Sequence, residues 1–451
     1  MGKRVIAVLL LLPLLLGAAG CGVLDGNIGT LLKTPAANNM QIKLRAAIDS
    51  SIGTGIRYVV PATGKIRSSF VTEDLDGDGR AEAVILYSEI GADDVEPKAN
   101  LAVFAEAADG SWALTKQVSG LSGSVDYLSF ADFNFDGHKD ALVGWIMGDS
   151  AREVCAYDLH AVSDVVLFAD AYNESRLFTD TKGNPFLFIA VFDKAAGTGV
   201  AKIVSGNGKG EFGTAAECPV SAKFETMTNI EFARISSNTS ALVLDARQGK
   251  NAVTQLLFWD GKSLINPYYE NEALHTAFTR ETAFAAQDID KDGITEFPAA
   301  VALPQLSQFD GDPTMTAVSL TNWSAFDARS LSDYNLPPLK YEFSCVMNAA
   351  MGYYYIFPAE WMSRVSVYYN SNNFGLNFYQ VDPENKSGSL LFPLLRISRE
   401  DYAKRTAGGD YYELRRDGDW VYAMCIAPNL TADMKLTVGT VKDSAARLIL
   451  T

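Results

Sequence analysis

Three short stretches place oxygen donors at alternate positions: DLDGDGRAE from Asp74 to Glu82, DFNFDGHKD from Asp132 to Asp140 and DIDKDGITE from Asp288 to Glu296. Counting from the first aspartate, positions 1, 3, 5 and 9 hold Asp74, Asp76, Asp78 and Glu82 in the first stretch. They hold Asp132, Asn134, Asp136 and Asp140 in the second, and Asp288, Asp290, Asp292 and Glu296 in the third. Side chains at alternate positions of a tightly turning loop converge on one point, and a set of hard oxygens suits Ca²⁺, which takes six to eight of them. Gly79, Gly137 and Gly293 at position 6 allow the sharp turn, because glycine enters the left-handed region without a Cβ penalty. A backbone carbonyl at position 7, from Arg80, His138 or Ile294, completes each set together with water.

The eleven carboxylates of the three loops repel one another in a partly closed turn, and a bound cation reverses that repulsion. About three calcium ions are therefore expected, in a structural role, since a metal closed by protein oxygens lacks the open position that catalysis needs. An EF-hand does not fit. That loop needs a bidentate acid at position 12, where Ile85, Val143 and Ala299 stand here.

The elements that must hold these loops form a longer repeat. FVTEDLDGDGRAEAVILY from Phe70, YLSFADFNFDGHKDALVGW from Tyr127, SRLFTDTKGNPFLFIAVFD from Ser175, IEFARISSNTSALVLDA from Ile230 and FAAQDIDKDGITEFPAAV from Phe284 align on their turns. Their spacing lies in the range of propeller blades or stacked units. In each, a short strand enters the turn and an apolar strand leaves it, as in Ala83 to Tyr87 or Ala141 to Trp145. A third strand follows in most copies (LAVFAEA from Leu101, AKIVSG from Ala201, TQLLFW from Thr254), then a compact turn such as DGSW at Asp109 or WDGK at Trp259. The third and fourth copies lack a full acidic set: Asp180, Lys182 and Asn184 fill part of the register in one, and Ser236, Asn238 and Ser240 in the other. Calcium is not expected there.

The DxDxDGxxD/E loop between adjacent strands resembles that of the FG-GAP and VCBS-type repeats of integrin-like β-propellers. The span from about Gln41 to Tyr334 is similar to bacterial lipoproteins carrying such repeats, in which a helix and a segment like YVVPATGKIRSSF (Tyr58 to Phe70) precede the first loop. The resemblance implies a mainly β fold, a propeller of about five to six blades over 41–335, followed by a small α+β or antiparallel-sheet domain over 340–451.

That C-terminal region begins after Pro337 and Pro338, which read as a linker. Between Tyr341 and Tyr379 there are 12 aromatics, far above the 11% of the whole chain, so this stretch either packs a core or presents a stacking surface; strand aromatics favour the core. Alternation in SRVSVYY, GLNFYQV, LLFPLLRI and WVYAMCIA predicts an antiparallel sheet, with a short helix at EDYAKR and a hairpin at YYELRRDGDW.

The chain opens with Lys3 and Arg4, an apolar run from Val5 to Leu16 and small residues up to Gly20, which reads as a secretory signal over 1–20. Ala18-Ala19-Gly20-Cys21 resembles a bacterial lipobox, implying lipidation at Cys21, a spacer over 21–40 and a lipid anchor on the outer face of a bacterial cell membrane. A net charge of −16 argues against nucleic acid and against electrostatic attachment to anionic lipid, because both need basic clusters. Cys155, Cys218, Cys345 and Cys425 are an even count that permits two disulfides, with Cys345 to Cys425 the better pair, but buried free thiols are the favoured reading because spacing does not fix connectivity. His138, His160 and His275 look too scattered for a zinc site.

Two functions remain. The first is a surface binding or scaffold module for an envelope polysaccharide or protein. The second is an extracytoplasmic hydrolase or lyase on the same scaffold, which would need a convergent acid, base or nucleophile; neither GxSxG nor HExxH occurs, and no catalytic residue is assigned.

Overall fold

The computed structural model describes residues 39–89, 97–333, 335–406, 411–425 and 445–450. The expected leader, Cys21 and all but the end of the spacer lie outside the described residues. Among those described, no helix is long and apolar enough to cross a membrane. The protein is mainly β, with six antiparallel sheets of four to six strands among the described residues. The chain divides into two compact units, one ending at Asp170 and the other beginning at Ala171.

In the first unit, helix α1 (Asn39–Ser51) precedes a sheet of β1 (Ile56–Tyr58), β2 (Phe70–Glu73), β3 (Glu82–Glu89), β4 (Ala99–Glu106) and β5 (Trp112–Ser119). The order is β1-β3-β4-β5, with β2 also on β3. The second sheet runs β6 (Ser124–Ala131), β7 (Asp140–Ile146), β8 (Arg152–Asp158) and β9 (Val165–Ala171) in sequence order. Val84, Leu86, Val103 and Val118 from the first sheet pack against Leu128, Val143 and Trp145 from the second. The opposite face of the first sheet, Ala83, Ile85, Tyr87 and Phe104, is covered by Leu44, Ala47 and Ile48 of α1. The helix residues recur at the i, i+3, i+4 spacing of one helical face. Burial on both faces explains why β3 reads as the unbroken run AVILY where a half-solvated strand would alternate.

The second unit starts with the meander β10 (Glu174–Thr179), β11 (Pro185–Asp193), β12 (Thr198–Gly206) and β13 (Phe212–Ser221). Next come β14 (Thr226–Ser236), β15 (Thr239–Gln248), β16 (Asn251–Trp259) and β17 (Leu264–Ile265), with β18 (Thr279–Glu281) also paired to β16. Between β17 and β18, helices α2 (Pro267–Glu270) and α3 (Glu272–Ala277) start at Asn266 and Asn271, whose side chains accept hydrogen bonds from the first-turn amides. Phe186, Phe188 and Val220 pack against Ile230, Leu242 and Leu257 between these two sheets.

The fifth sheet comprises β19 (Phe297–Val301), β21 (Leu320–Phe326), β22 (Leu339–Asn348), β23 (Tyr353–Ile356) and β29 (Leu448–Leu450). The sixth comprises β20 (Met315–Ala317), β24 (Val365–Asn370), β25 (Gly375–Asp382), β26 (Ser387–Ser398), β27 (Tyr411–Asp417) and β28 (Trp420–Cys425), with α4 (Arg399–Thr406) between β26 and β27. The boundary expected at 335–340 therefore falls inside sheets: Phe326 pairs with Leu339, and Thr316 pairs with Tyr369. The Pro337-Pro338 stretch is the connection between two paired strands and not a linker between bodies, because Asp327 N–H donates to Pro338 O at 2.9 Å across it. The aromatics fill a core: Tyr353, Tyr355, Trp361, Phe378 and Phe392 are buried together, and Phe378 stacks on Phe392 at 4.5 Å.

Cys155, Cys218, Cys345 and Cys425 are free thiols, so the Cys345 to Cys425 pairing does not form. Cys345 is a free thiol, fully buried, taking a hydrogen bond from Trp323 Nε1 at 3.2 Å, and burial pushes it up to about 12.

Candidate metal centres

Each acidic loop sits where two paired strands join. The first connects β2 to β3, the second β6 to β7, and the third leads from the Gln287–Glu296 bridge into β19. All three share one internal hydrogen-bond scheme. The position 1 carboxylate accepts from the glycine amide at position 6: Asp74 from Gly79 at 3.1 Å, Asp132 from Gly137 at 3.0 Å and Asp288 from Gly293 at 2.8 Å. The position 3 oxygen accepts from the amide at position 5, Asp76 from Asp78, Asn134 from Asp136 and Asp290 from Asp292. Position 5 accepts from the amide at position 7, namely Arg80, His138 and Ile294. The position 9 acid reaches back to the amide at position 2: Glu82 to Leu75 at 2.8 Å, Asp140 to Phe133 at 3.0 Å and Glu296 to Ile289 at 3.0 Å. The glycines at position 6 have φ of +85°, +92° and +84°, the left-handed conformation the motif anticipates.

Position 4 was not singled out from the sequence. Phe135 (φ +61°) and Lys291 (φ +66°) hold the same left-handed geometry as Gly77 (φ +75°). The signal was Gly77 itself: a glycine at position 4 of one copy marks a backbone demand that the other copies meet under strain.

Two sets of three acids bring one oxygen each to within 4.8 Å of one another: Asp74, Asp76 and Asp78, and Asp288, Asp290 and Glu296. These two clusters could hold metal ions. The second loop differs because Asn134 replaces a carboxylate at position 3, and its Nδ2 donates to Asp136 Oδ2 at 3.0 Å. Fit to a hard cation is tested best at Glu296. Its side chain is fully buried, one oxygen is held by Ile289 N–H, and Oε1 has no hydrogen-bond partner among the described residues. A buried, unpartnered carboxylate oxygen beside two other carboxylates is costly unless a cation meets it. Burial first, and then the charges of Asp290, Asp292 and Asp288, push Glu296 up to about 8 against the hydrogen bond from Ile289. Burial likewise raises Asp140 to about 7, with Asp158, Asp136 and Asp132 adding to it against the Phe133 bond.

In the third copy, Asp180 spends its Oδ1 on the amides of Lys182 and Asn184 and its Oδ2 on Asn184 Nδ2. In the fourth, Ser236 pairs directly with Thr239, so the turn is too short to wrap a cation. His138 and His160, distant in sequence, come together with ring centroids 4.0 Å apart; His275 lies instead against Tyr268. The expectation of scattered histidines is corrected for that pair, although neither belongs to a three-acid cluster. The second unit also carries an open cleft of about 510 Å³, with Arg247, Lys250 and Glu281 beside Phe284, Val318 and Met347.

No family model and no curated protein sequence matches the chain. Among solved structures, it is similar to the periplasmic gluconolactonase PpgL of Pseudomonas aeruginosa, at 14% identity and a TM-score of 0.29, covering 73% of this chain and 86% of that one. It is also similar to a protein from Lactobacillus plantarum, at 12% identity and a TM-score of 0.28, covering 71% and 82%. A third is the exotype rhamnogalacturonan lyase YesX, at 13% identity and a TM-score of 0.27, covering 72% and 62%. Superpositions this partial carry no argument about activity.

Proposed function

We propose that this chain is a calcium-stabilised β-propeller protein, lipid-tethered through Cys21 on the outer face of a bacterial membrane, which acts as a binding or scaffold module for an envelope polysaccharide or protein. The observation that carries the metal part is the buried, unpartnered Glu296 Oε1 within a loop whose hydrogen-bond scheme recurs in two others. Asp74, Asp76, Asp78, Glu82 and the Arg80 carbonyl would hold one ion. Asp132, Asn134, Asp136, Asp140 and the His138 carbonyl would hold a second, and Asp288, Asp290, Asp292, Glu296 and the Ile294 carbonyl a third. Bound calcium supplies positive charge that offsets carboxylate repulsion and joins the two strands flanking each loop.

The propeller part is supported by the sequential four-stranded meanders β6 to β9 and β10 to β13, the unit from which blades are built. The binding part is supported by the acidic surface, which disfavours polyanionic partners, and by the cleft beside Arg247, whose volume of about 510 Å³ lies within the range of small-ligand sites.

The first test is bound-metal stoichiometry on the chain from Gly22 onward, with thermal unfolding in calcium and in chelator. About three ions and a large upward shift are expected, since a ligand that binds only the folded state stabilises by RT ln(1 + [L]/Kd). No bound calcium and no shift would refute the metal reading. Incubation with purified cell wall tests the binding part: retention without soluble fragments is expected, and fragment release would replace the binding module with an enzyme.

A further inference from the structure

The three acidic loops share an internal scheme but not the same surroundings. An added Cβ at Gly79 or Gly137 would meet nothing within 4 Å, whereas one at Gly293 would stand 2.7 Å from Arg234 Nη2. Only the third loop is roofed at position 6 by a cation.

Arg234 belongs to β14, in the repeat whose own turn lacks the acidic set. Its Nε donates to Gly293 O at 3.0 Å and its Nη2 to Asp292 O at 3.0 Å, so the guanidinium fork holds two successive carbonyls of the loop. Its own carbonyl accepts from Thr295 N–H at 2.8 Å, and Glu231 on the same strand accepts from Thr295 Oγ1 at 3.4 Å. The backbone part of this grip has a counterpart in the first unit, where Lys139 N–H, also at position 8, donates to Leu75 O of the first loop at 2.7 Å. Among the described residues the guanidinium part has none: Lys139 Nζ pairs with Glu73, just before the first loop, at 2.5 Å and makes no bond to a loop carbonyl.

We propose that Arg234 is a positioning residue that serves the third loop as a built-in cation, holding it in its metal-binding shape when no calcium is bound, while the first two loops depend on the ion for their order. The inference rests on the calcium reading above. Its physical basis is that a planar fork of fixed donors ties adjacent carbonyls at small entropic loss, and brings a positive charge to an acidic turn that otherwise repels itself. The repeat that lacks an acidic loop of its own thus supports its neighbour's.

Hydrogen exchange of the purified chain, read on fragments spanning 74–82, 132–140 and 288–296, tests this. In chelator the 288–296 fragment is expected to exchange more slowly than the other two. Arg234→Met should speed it by roughly tenfold, the effect of losing hydrogen bonds to a charged donor, and leave 74–82 and 132–140 unchanged. Arg234→Lys, which keeps the charge but not the fork, should give only partial protection. Added calcium should restore protection of 288–296 in Arg234→Met; an arginine that merely pinned the strand would leave that fragment loose in both media. The proposal is overturned if the wild-type 288–296 fragment is as labile as the others in chelator, or if neither variant changes it. If calcium protects none of the three fragments while Arg234→Met still loosens the third, the clamp is upheld and the calcium reading fails.

Discussion

Substituting Glu296 by Gln should have opposite effects in the two metal states. Without metal, the fully buried carboxylate is raised from 4.5 to about 8, so the fold favours its neutral form. Because the folded value lies above the unfolded one, no penalty exists below about pH 4.5, and it accumulates as pH rises through about 8. At full value this shift corresponds to on the order of 5 kcal/mol. The effective dielectric response around even a buried acid reduces it to about 2–3 kcal/mol. The glutamine keeps an oxygen for Ile289 N–H but leaves an amide nitrogen without a partner where Oε1 now lies, which costs about 1 kcal/mol. The net expectation in chelator at pH 8.5 is therefore a variant more stable than wild type by about 1–2 kcal/mol.

In saturating calcium the order reverses, because the variant has lost a charged ligand, and each tenfold fall in affinity removes about 1.4 kcal/mol of linkage stabilisation. Urea unfolding in chelator at pH 5 and pH 8.5, and in calcium at pH 8.5, gives the readout. The variant's advantage should disappear at pH 5, where the wild-type carboxylate is already protonated. A variant less stable than wild type in chelator at pH 8.5 would refute the reasoning, since packing around Glu296 would then outweigh its charge.

Gly79→Ala should cost about 1 kcal/mol through its left-handed φ alone, and Gly293→Ala more, because its Cβ also meets Arg234; denaturant midpoints rank the two. Phe135→Gly relieves a left-handed phenylalanine at position 4 and should stabilise by about 0.5–1 kcal/mol, read in the same way. Gly120→Ala places a Cβ 2.2 Å from both Ala99 O and the Trp145 ring and should destabilise by about 1–3 kcal/mol or more, with altered Trp fluorescence as a second readout. Cys345 should resist thiol reagents in the folded chain and become reactive only on unfolding, which mass analysis of labelled fragments checks.

The loops were legible because their geometry is local. A ligand at every second position, a glycine at position 6 and strands on both sides are all written within nine residues, and the hydrogen-bond scheme follows them copy by copy. The strands were legible for the same reason, down to the hairpin turn between Asp417 and Trp420. Arg234 and the His138–His160 pair could not be read in this way. Each depends on which strand lies next to which, and spacing along the chain does not carry that information when partners are 58 residues apart, as Arg234 and Asp292 are.

The misplaced boundary at 335–340 has the same origin and a thermodynamic reason. After its acidic loop the fifth repeat supplies β19, a strand of five residues, and on one side it has nothing of its own period with which to continue the meander. A short strand alone presents unpaired amides and carbonyls. β21, β22 and β23 complete the ladder, and the aromatic side chains Tyr353 and Tyr355 on β23 then bury against Phe378 and Phe392 of the sixth sheet. Composition changed at the prolines because the core there is denser in aromatics than the Val-, Leu- and Ala-rich core of the first two repeats, but hydrogen bonding had no reason to stop at that change. A composition shift marks a new way of filling a core. It marks a new domain only where no strand pairs across it.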